Sequence, residues 1–217
     1  MRLSPVLLIA AVPLSGLGQT ATFIGNCAFR IELGAHVIYS DFPYQSGYSG
    51  YDTYSMPDGF SSAKGTALIT HAHRDHFDSL LFRSCSLQLI SPDQKEADRS
   101  AGLAAMKASG IEVQLSGTPH AEIPHFSYVV SWKDHRLYFS GDTEDPAHLL
   151  ATKDIDVAFV TPWLIDAVKR AGRSIDTKTL VVYHHQRGEF DGRDLKSPCG
   201  DCRVLIPQQG DVIDLFP

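Results

Sequence analysis

The chain has no run of lysine or arginine, and its 217 residues carry a formal net charge of −6. That balance disfavours a nucleic-acid partner, whose phosphates call for a basic face. It leaves a small anionic substrate open, since a bound metal supplies its own positive charge. Beyond the first residues no apolar stretch is long enough to cross a bilayer, so no membrane span is expected. Repeats, low-complexity tracts and flexible linkers are missing as well, which points to one domain or two lobes sharing a core. Cysteine is scarce: Cys27 and Cys85 are isolated, and Cys199 and Cys202 form the one close pair. A zinc knuckle would need a second pair, and a thioredoxin-like motif would open a helix rather than sit in a Pro/Gly-rich segment. A local disulfide pinning the C-terminal loop is the reading that remains.

The first eighteen residues have the form of an export signal. A single basic residue, Arg2, precedes an apolar stretch from Pro5 to Leu14, and Ser15-Gly16-Leu17-Gly18 offers small residues for cleavage after Gly18. The expectation is a signal peptide over 1–18, a single domain over 19–217, and a periplasmic or secreted protein. Retention of the N-terminus as a buried helix or strand would instead make it cytoplasmic.

Strand-like and helix-like runs alternate along the remainder. Ala21–Ile24, Phe29–Leu33 and His36–Ser40 read as an antiparallel meander with turns at Gly25-Asn26 and Gly34. Ala67–Thr70 and Leu87–Ile90 are short and apolar, the pattern of strands buried on both faces. Two helical turns are expected over His76–Arg83. A longer helix is expected from Ser91 as N-cap, with Pro92 and Gln94 behind it, to Ala108. Later strands are expected at Glu112–Leu115, Phe126–Trp132, Arg136–Phe139, Val157–Thr161, Leu180–Tyr183 and Val212–Phe216, with helices near Pro146–Ala151 and Trp163–Ala171. Many strands with helices between them suggest an α/β fold, a four-layer αββα sandwich of two mixed sheets. The segment from Pro43 to Ser62, rich in tyrosine, either walls a ligand pocket or packs on itself at the surface.

What the chain has in unusual density is histidine. Thr70-His71-Ala72-His73-Arg74-Asp75-His76 follows the apolar run Ala67-Leu68-Ile69, so the cluster emerges where a buried strand meets a loop. Alternation along an extended chain lets His71 and His73 point the same way, and imidazole with carboxylate suits zinc, iron or manganese. More donors stand at other strand ends: His120 in a turn, Asp142 after the strand Arg136–Phe139, and His184-His185 after Leu180–Tyr183. Gly141 permits a tight turn there, and Asp142 presents a carboxylate able to bridge two cations.

In order and interval these residues resemble the metallo-β-lactamase fold superfamily. The likeness runs from about Ala21 to near the C-terminus, and Pro124–Thr143 looks most like the metal-dependent hydrolases related to ascorbate-phosphate lactonase. The resemblance implies two divalent metal ions, zinc first, with Mn2+ or Fe2+ as alternatives. His71, His73 and His120 would hold one, and Asp75, His76 and His184 the other, with Asp142 between them. His125 competes with His120 and His185 with His184; His120 and His184 are preferred by their place relative to the strands. Asp41 either orients a ligand imidazole or simply starts a turn.

The activity implied is hydrolysis of a small-molecule substrate. Two cations share a water and ionise it, and the hydroxide attacks an ester, lactone or phosphodiester, with Asp75 orienting it and passing a proton to the leaving group. The competing readings are a metallo-β-lactamase acting on β-lactams, a metal-binding protein without catalysis, and a two-iron electron-transfer relative.

Overall fold

The computed structural model describes residues 18–47, 51–186, 188–190 and 198–217. The expected signal peptide, apart from Gly18, lies outside the described residues.

Two six-stranded mixed sheets face each other. In the first, β1 (Gln19–Gly25), β2 (Ala28–Leu33) and β3 (His36–Ser40) form the antiparallel meander. β4 (Lys64–Leu68) and β5 (Ser86–Ile90) then add in parallel, and β12 (Val212–Asp214) closes the other edge against β1. The second sheet repeats the plan. β6 (Ile111–Gly117), β7 (Phe126–Trp132) and β8 (His135–Phe139) run antiparallel. β9 (Ile155–Val160), β10 (Thr177–Val182) and β11 (Arg203–Leu205) follow in parallel. β1, β3, β4 and β5 therefore share one direction within their sheet, and β6, β8, β9 and β10 share one within theirs. This topology, rather than sequence proximity, gathers distant strand ends at one rim.

Alternation fills the layers. Phe23, Phe29, Ile31, Leu33, Ile38 and Leu68 meet Tyr128, Val130, Leu137, Phe139, Val157 and Phe159 between the sheets. The phenyl rings of Phe29 and Phe159 cross there with centroids 4.7 Å apart. On the outside of the second sheet, Val129, Tyr138, Ala158, Val160 and Val182 receive α3 (Ala147–Ala151) and α4 (Pro162–Arg170), through Leu149, Leu164, Ile165 and Val168. α4 begins with Pro162, whose missing N–H costs nothing at that position. The disulfide Cys199–Cys202 packs in the same cluster. The first sheet is covered differently: Tyr44, Tyr54, Met56 and Phe60 of the long tyrosine-rich segment lie over Ile24, Ala28 and Tyr39.

Two local expectations are corrected. The helix expected from His76 begins only at Ser79, as α1 (Ser79–Phe82), with Asp78 accepting from the Leu80 and Leu81 N–H groups. Before it the chain makes a turn in which the His76 and Phe77 N–H groups both donate to the His73 carbonyl, so His76 is held on a turn and not in a helix. Ser91 does not cap a helix either. α2 (Glu96–Ala108) starts five residues later, and the Arg99 guanidinium folds back to donate to the carbonyls of Ser91, Pro92 and Gln94, holding them in a turn. The short strand β11 has no counterpart in the sequence reading.

Candidate metal centre

At the end of β4 the backbone is locked before the histidines begin. The Ile69 carbonyl accepts from the buried Tyr128 hydroxyl at 2.6 Å, and the Thr70 carbonyl accepts from the Phe126 N–H at 2.9 Å. The Thr70 N–H donates to the Asp41 carboxylate at 2.7 Å. The Thr70 hydroxyl then joins three groups: Asp41 Oδ2 at 3.0 Å, His71 Nδ1 at 3.0 Å and His76 Nδ1 at 3.3 Å. Its single proton goes to the Asp41 carboxylate, so the His71 Nδ1–H must donate to it, leaving the lone pair of His71 on Nε2. His76 Nδ1 lies 3.0 Å from Asp41 Oδ2 and donates there, which turns its Nε2 to the opposite side, toward Asp142. Asp41 thus orients the His76 imidazole rather than only starting a turn.

Two groups of donor atoms result. His71 Nε2 lies 3.0 Å from His73 Nδ1, and His120 Nε2 lies 3.4 Å from the same atom. These three imidazoles form one group whose ligand atoms all fall within 4.8 Å of one another. The other group, by the same measure, is Cys27, His76, Asp142 and His184, all buried. Asp142 Oδ2 lies 3.2 Å from His76 Nε2, 3.3 Å from His184 Nε2 and 4.0 Å from His71 Nε2, so one carboxylate reaches both groups.

The structure separates the paired histidines. His120 stands with His71 and His73. His125 has both ring nitrogens engaged, Nδ1 with the Thr118 hydroxyl at 2.8 Å and Nε2 accepting from the Asp142 N–H at 3.0 Å. It therefore positions Asp142 from behind. Gly141 is required at this contact: with φ 58°, a Cβ there would lie 2.3 Å from His125 Nε2 and 2.8 Å from Thr70 Cβ. His184 faces Asp142, whereas His185 turns to Phe190, its ring centroid 4.9 Å away. His184 holds a left-handed backbone, φ 55°, and its N–H donates to the Asn26 carbonyl at 3.3 Å. Asp75 lies at the edge of the second group, with Oδ2 3.4 Å from His184 Nε2, but it is not among the four mutually close donors.

Charge divides the groups. Burial pushes His71 far below the ordinary imidazole range, helped by His76, and burial also lowers His120. Burial brings His125 down to about 4. His76 and His184 behave oppositely: burial alone would lower them, but neighbouring negative groups, Asp142 among them, hold both well above the ordinary value. Burial works against the Asp142 carboxylate too, yet His76 and His184 keep it well below its ordinary value. Such a nest of neutral lone pairs beside a buried anion fits divalent cations, which would take the place of the protons on His76 and His184. Asp142 Oδ1 and His184 Nδ1 are buried with no hydrogen-bond partner among the described residues.

The sequence matches no protein-family profile and no curated protein. Solved structures do match. Igni18, a metallo hydrolase of the hyperthermophilic archaeon Ignicoccus hospitalis, superimposes with TM-score 0.61 at 18% identity, over 89% of this chain and 97% of that one. The metallo-β-lactamase fold protein YhfI of Bacillus subtilis gives TM-score 0.62 at 12% identity, over 89% and 98%. The chain has the metallo-β-lactamase fold. An isothiocyanate hydrolase from Delia radicum gut bacteria shares that fold at TM-score 0.60 and 14% identity, over 89% and 98%. In this metallo-β-lactamase fold the donors arise from five strand ends. β1 leads to Cys27, β4 to His71–His76, β6 to His120, β8 to Asp142 and β10 to His184.

Cys27 and Asn26 were missed by sequence reasoning, whereas Tyr51 belongs to the tyrosine-rich segment read there as a possible pocket wall. The Asn26 side chain donates to the Asp75 carbonyl at 2.6 Å. The Tyr51 ring lies 4.5 Å from that of His184, so the tyrosine-rich segment both covers the first sheet and reaches the site. One signal was available for Cys27: it follows Gly25-Asn26, the turn at the end of a strand parallel to the one that delivers His71.

Proposed function

We propose that this protein is a metal-dependent hydrolase with two cation positions, acting on an uncharged ester or lactone. The observation that carries the reading is Asp142, one buried carboxylate within reach of both donor groups. Cations bound there, zinc foremost, would supply polarisation of the scissile group and acidification of water.

The chain's own residues do the rest. His71, His73 and His120 hold one position. His76 and His184 hold the other, with Asp142 shared between them. Thr70 and Asp41 keep the Nε2 lone pairs of His71 and His76 facing inward, and His125 fixes the Asp142 backbone. Asp75 takes a proton at Oδ2 and hands it to the leaving group; it sits beside His184 but outside the mutually close donors, which suits a group that exchanges protons. Tyr51 and Trp163 flank His184, while Glu144 and Asp145 line the open depression beside His120. Aromatic and acidic surroundings favour a neutral acyl substrate over a phosphodiester.

The Cys199–Cys202 disulfide supports the export expected from the first eighteen residues, since such bonds persist in oxidising compartments. The test is a panel of lactones, aryl esters, phosphodiesters and nitrocefin offered to zinc-loaded protein. Turnover of lactones or esters, abolished by chelation, is expected. Nitrocefin cleavage without ester turnover would replace the reading with a β-lactamase, and inactivity across the panel with two metals bound would favour a binding protein.

A further inference from the structure

We infer that Cys27 is a ligand of the second metal position, making it a thiolate site for a zinc-like cation. The inference rests on the two-metal reading above and adds a donor that the His-x-His-x-Asp-His motif does not contain.

Cys27 sits with Asn26 in the turn between β1 and β2, directly before Ala28 opens β2. Its sulfur lies 3.3 Å from His76 Nε2, the nitrogen left free to bind because Nδ1 donates to Asp41. Cys27, His76, Asp142 and His184 converge with their donor atoms within 4.8 Å of one another. Three of the six separations are 3.3 Å for Cys27 to His76, 3.2 Å for His76 to Asp142 and 3.3 Å for His184 to Asp142. A tetrahedral zinc with bonds of about 2.0–2.3 Å sets its donors roughly 3.3–3.8 Å apart, so these three separations already suit such a shell, and the others stay within 4.8 Å. Asp142 Oδ1, on a side chain more than nine-tenths buried, has no hydrogen-bond partner among the described residues.

A buried free cysteine normally serves as a small apolar filler. Two features set Cys27 apart. Its sulfur faces an imidazole nitrogen, and its backbone is tied to the metal-binding loops on both sides. The Asn26 side chain donates to the Asp75 carbonyl at 2.6 Å, and the Asn26 carbonyl accepts from the His184 N–H at 3.3 Å. Asn26 itself takes a left-handed backbone, φ 54°, to make that turn. The hairpin is thus indexed to the residues on either side of the site, and Cys27 is the side chain it delivers.

On metal binding the thiol would lose its proton to solvent, and thiolate with Asp142 would balance the charge of one dication. Thiolate sulfur also selects against manganese and magnesium, which prefer oxygen. The second position is therefore expected to take zinc or cobalt.

Cobalt substitution of the whole protein tests this. Cys27 and Cys85 are the free thiols among the described residues, because Cys199 and Cys202 are bonded to each other. Chelator-stripped protein reloaded with two equivalents of Co2+ should show visible d–d bands and a near-ultraviolet thiolate-to-cobalt charge-transfer band. The band should survive in Cys85→Ser, where Cys27 is its only source. It should vanish in Cys27→Ser and Cys27→Ala with the d–d bands retained. Two bound cobalt ions without the charge-transfer band, in the native protein or in Cys85→Ser, would overturn the inference and leave the hydrolase reading standing. The Cys85→Ser protein decides this even if the Cys27 variants do not fold. Failure to bind cobalt at all would overturn both.

Discussion

His71, His73 and His120 meet with no acid among them, two of the three reaching solvent; Cys27, His76, Asp142 and His184 meet wholly buried around a carboxylate. In the first group, burial keeps His71 and His120 uncharged, so a cation finds a lone pair on each ready. In the second, the buried anion holds protons on His76 and His184, and a cation must displace them. The same ligand type, imidazole, is thus placed in two opposite electrostatic settings a short distance apart. Geometry alone does not distinguish the groups; the nearest charge does.

The sharpest way to break this contrast is to remove the shared carboxylate. Asp142→Ala should lower turnover by more than the roughly hundredfold typical of groups that only support a ligand. Metal content, measured by plasma emission, should fall from two equivalents to one or fewer. Two retained equivalents would mean that the groups do not share Asp142.

Acidity separates the groups next. In metal-free protein, His71, His120 and His125 have lowered values, so their contribution is complete above about 6.5 and is lost as pH falls. His125, brought down to about 4, accounts for about 3 kcal/mol across that window. His76 and His184 have raised values; their contribution is complete below about 6.5 and is lost as pH rises through the folded values. Urea midpoints of chelator-stripped protein should therefore peak near pH 6.5, and zinc loading should remove the fall on the alkaline side. A monotonic profile would contradict the division.

The smallest effect tests the two histidines that compete within the sequence. His125→Ala strands the Asp142 N–H and should destabilise the metal-free protein by about 1–3 kcal/mol while both metal equivalents remain. His120→Ala, half exposed, should barely move the urea midpoint yet cost one metal equivalent.

Much of this was legible in the sequence for definite reasons. The strand β2 is marked by alternation, with Phe29, Ile31 and Leu33 buried and Arg30 and Glu32 facing out, and the histidine motif combines donor density with an emergence from a buried strand. Asp142 is announced by the glycine before it, which the structure needs for the close approach of His125. Other parts depend on contacts that no local pattern encodes. α2 starts late because Arg99, well inside the helix, gathers the preceding carbonyls into a turn. β11 has three residues, too few for any period to register. Cys27 stands alone in sequence, and its role emerges only when the meander brings the end of β1 beside the ends of β4 and β10.

The strand ends have a mechanical consequence. Each donor group draws on both sheets: His71 and His73 with His120 in one, Cys27 and His76 with Asp142 and His184 in the other. A cation at either position is therefore a rivet through the two halves of the sandwich, fastening at the rim what the aromatic core fastens in the middle. Occupancy of the site would then be part of what keeps the halves together, and loss of metal would loosen the molecule at the rim where the proposed substrate would bind.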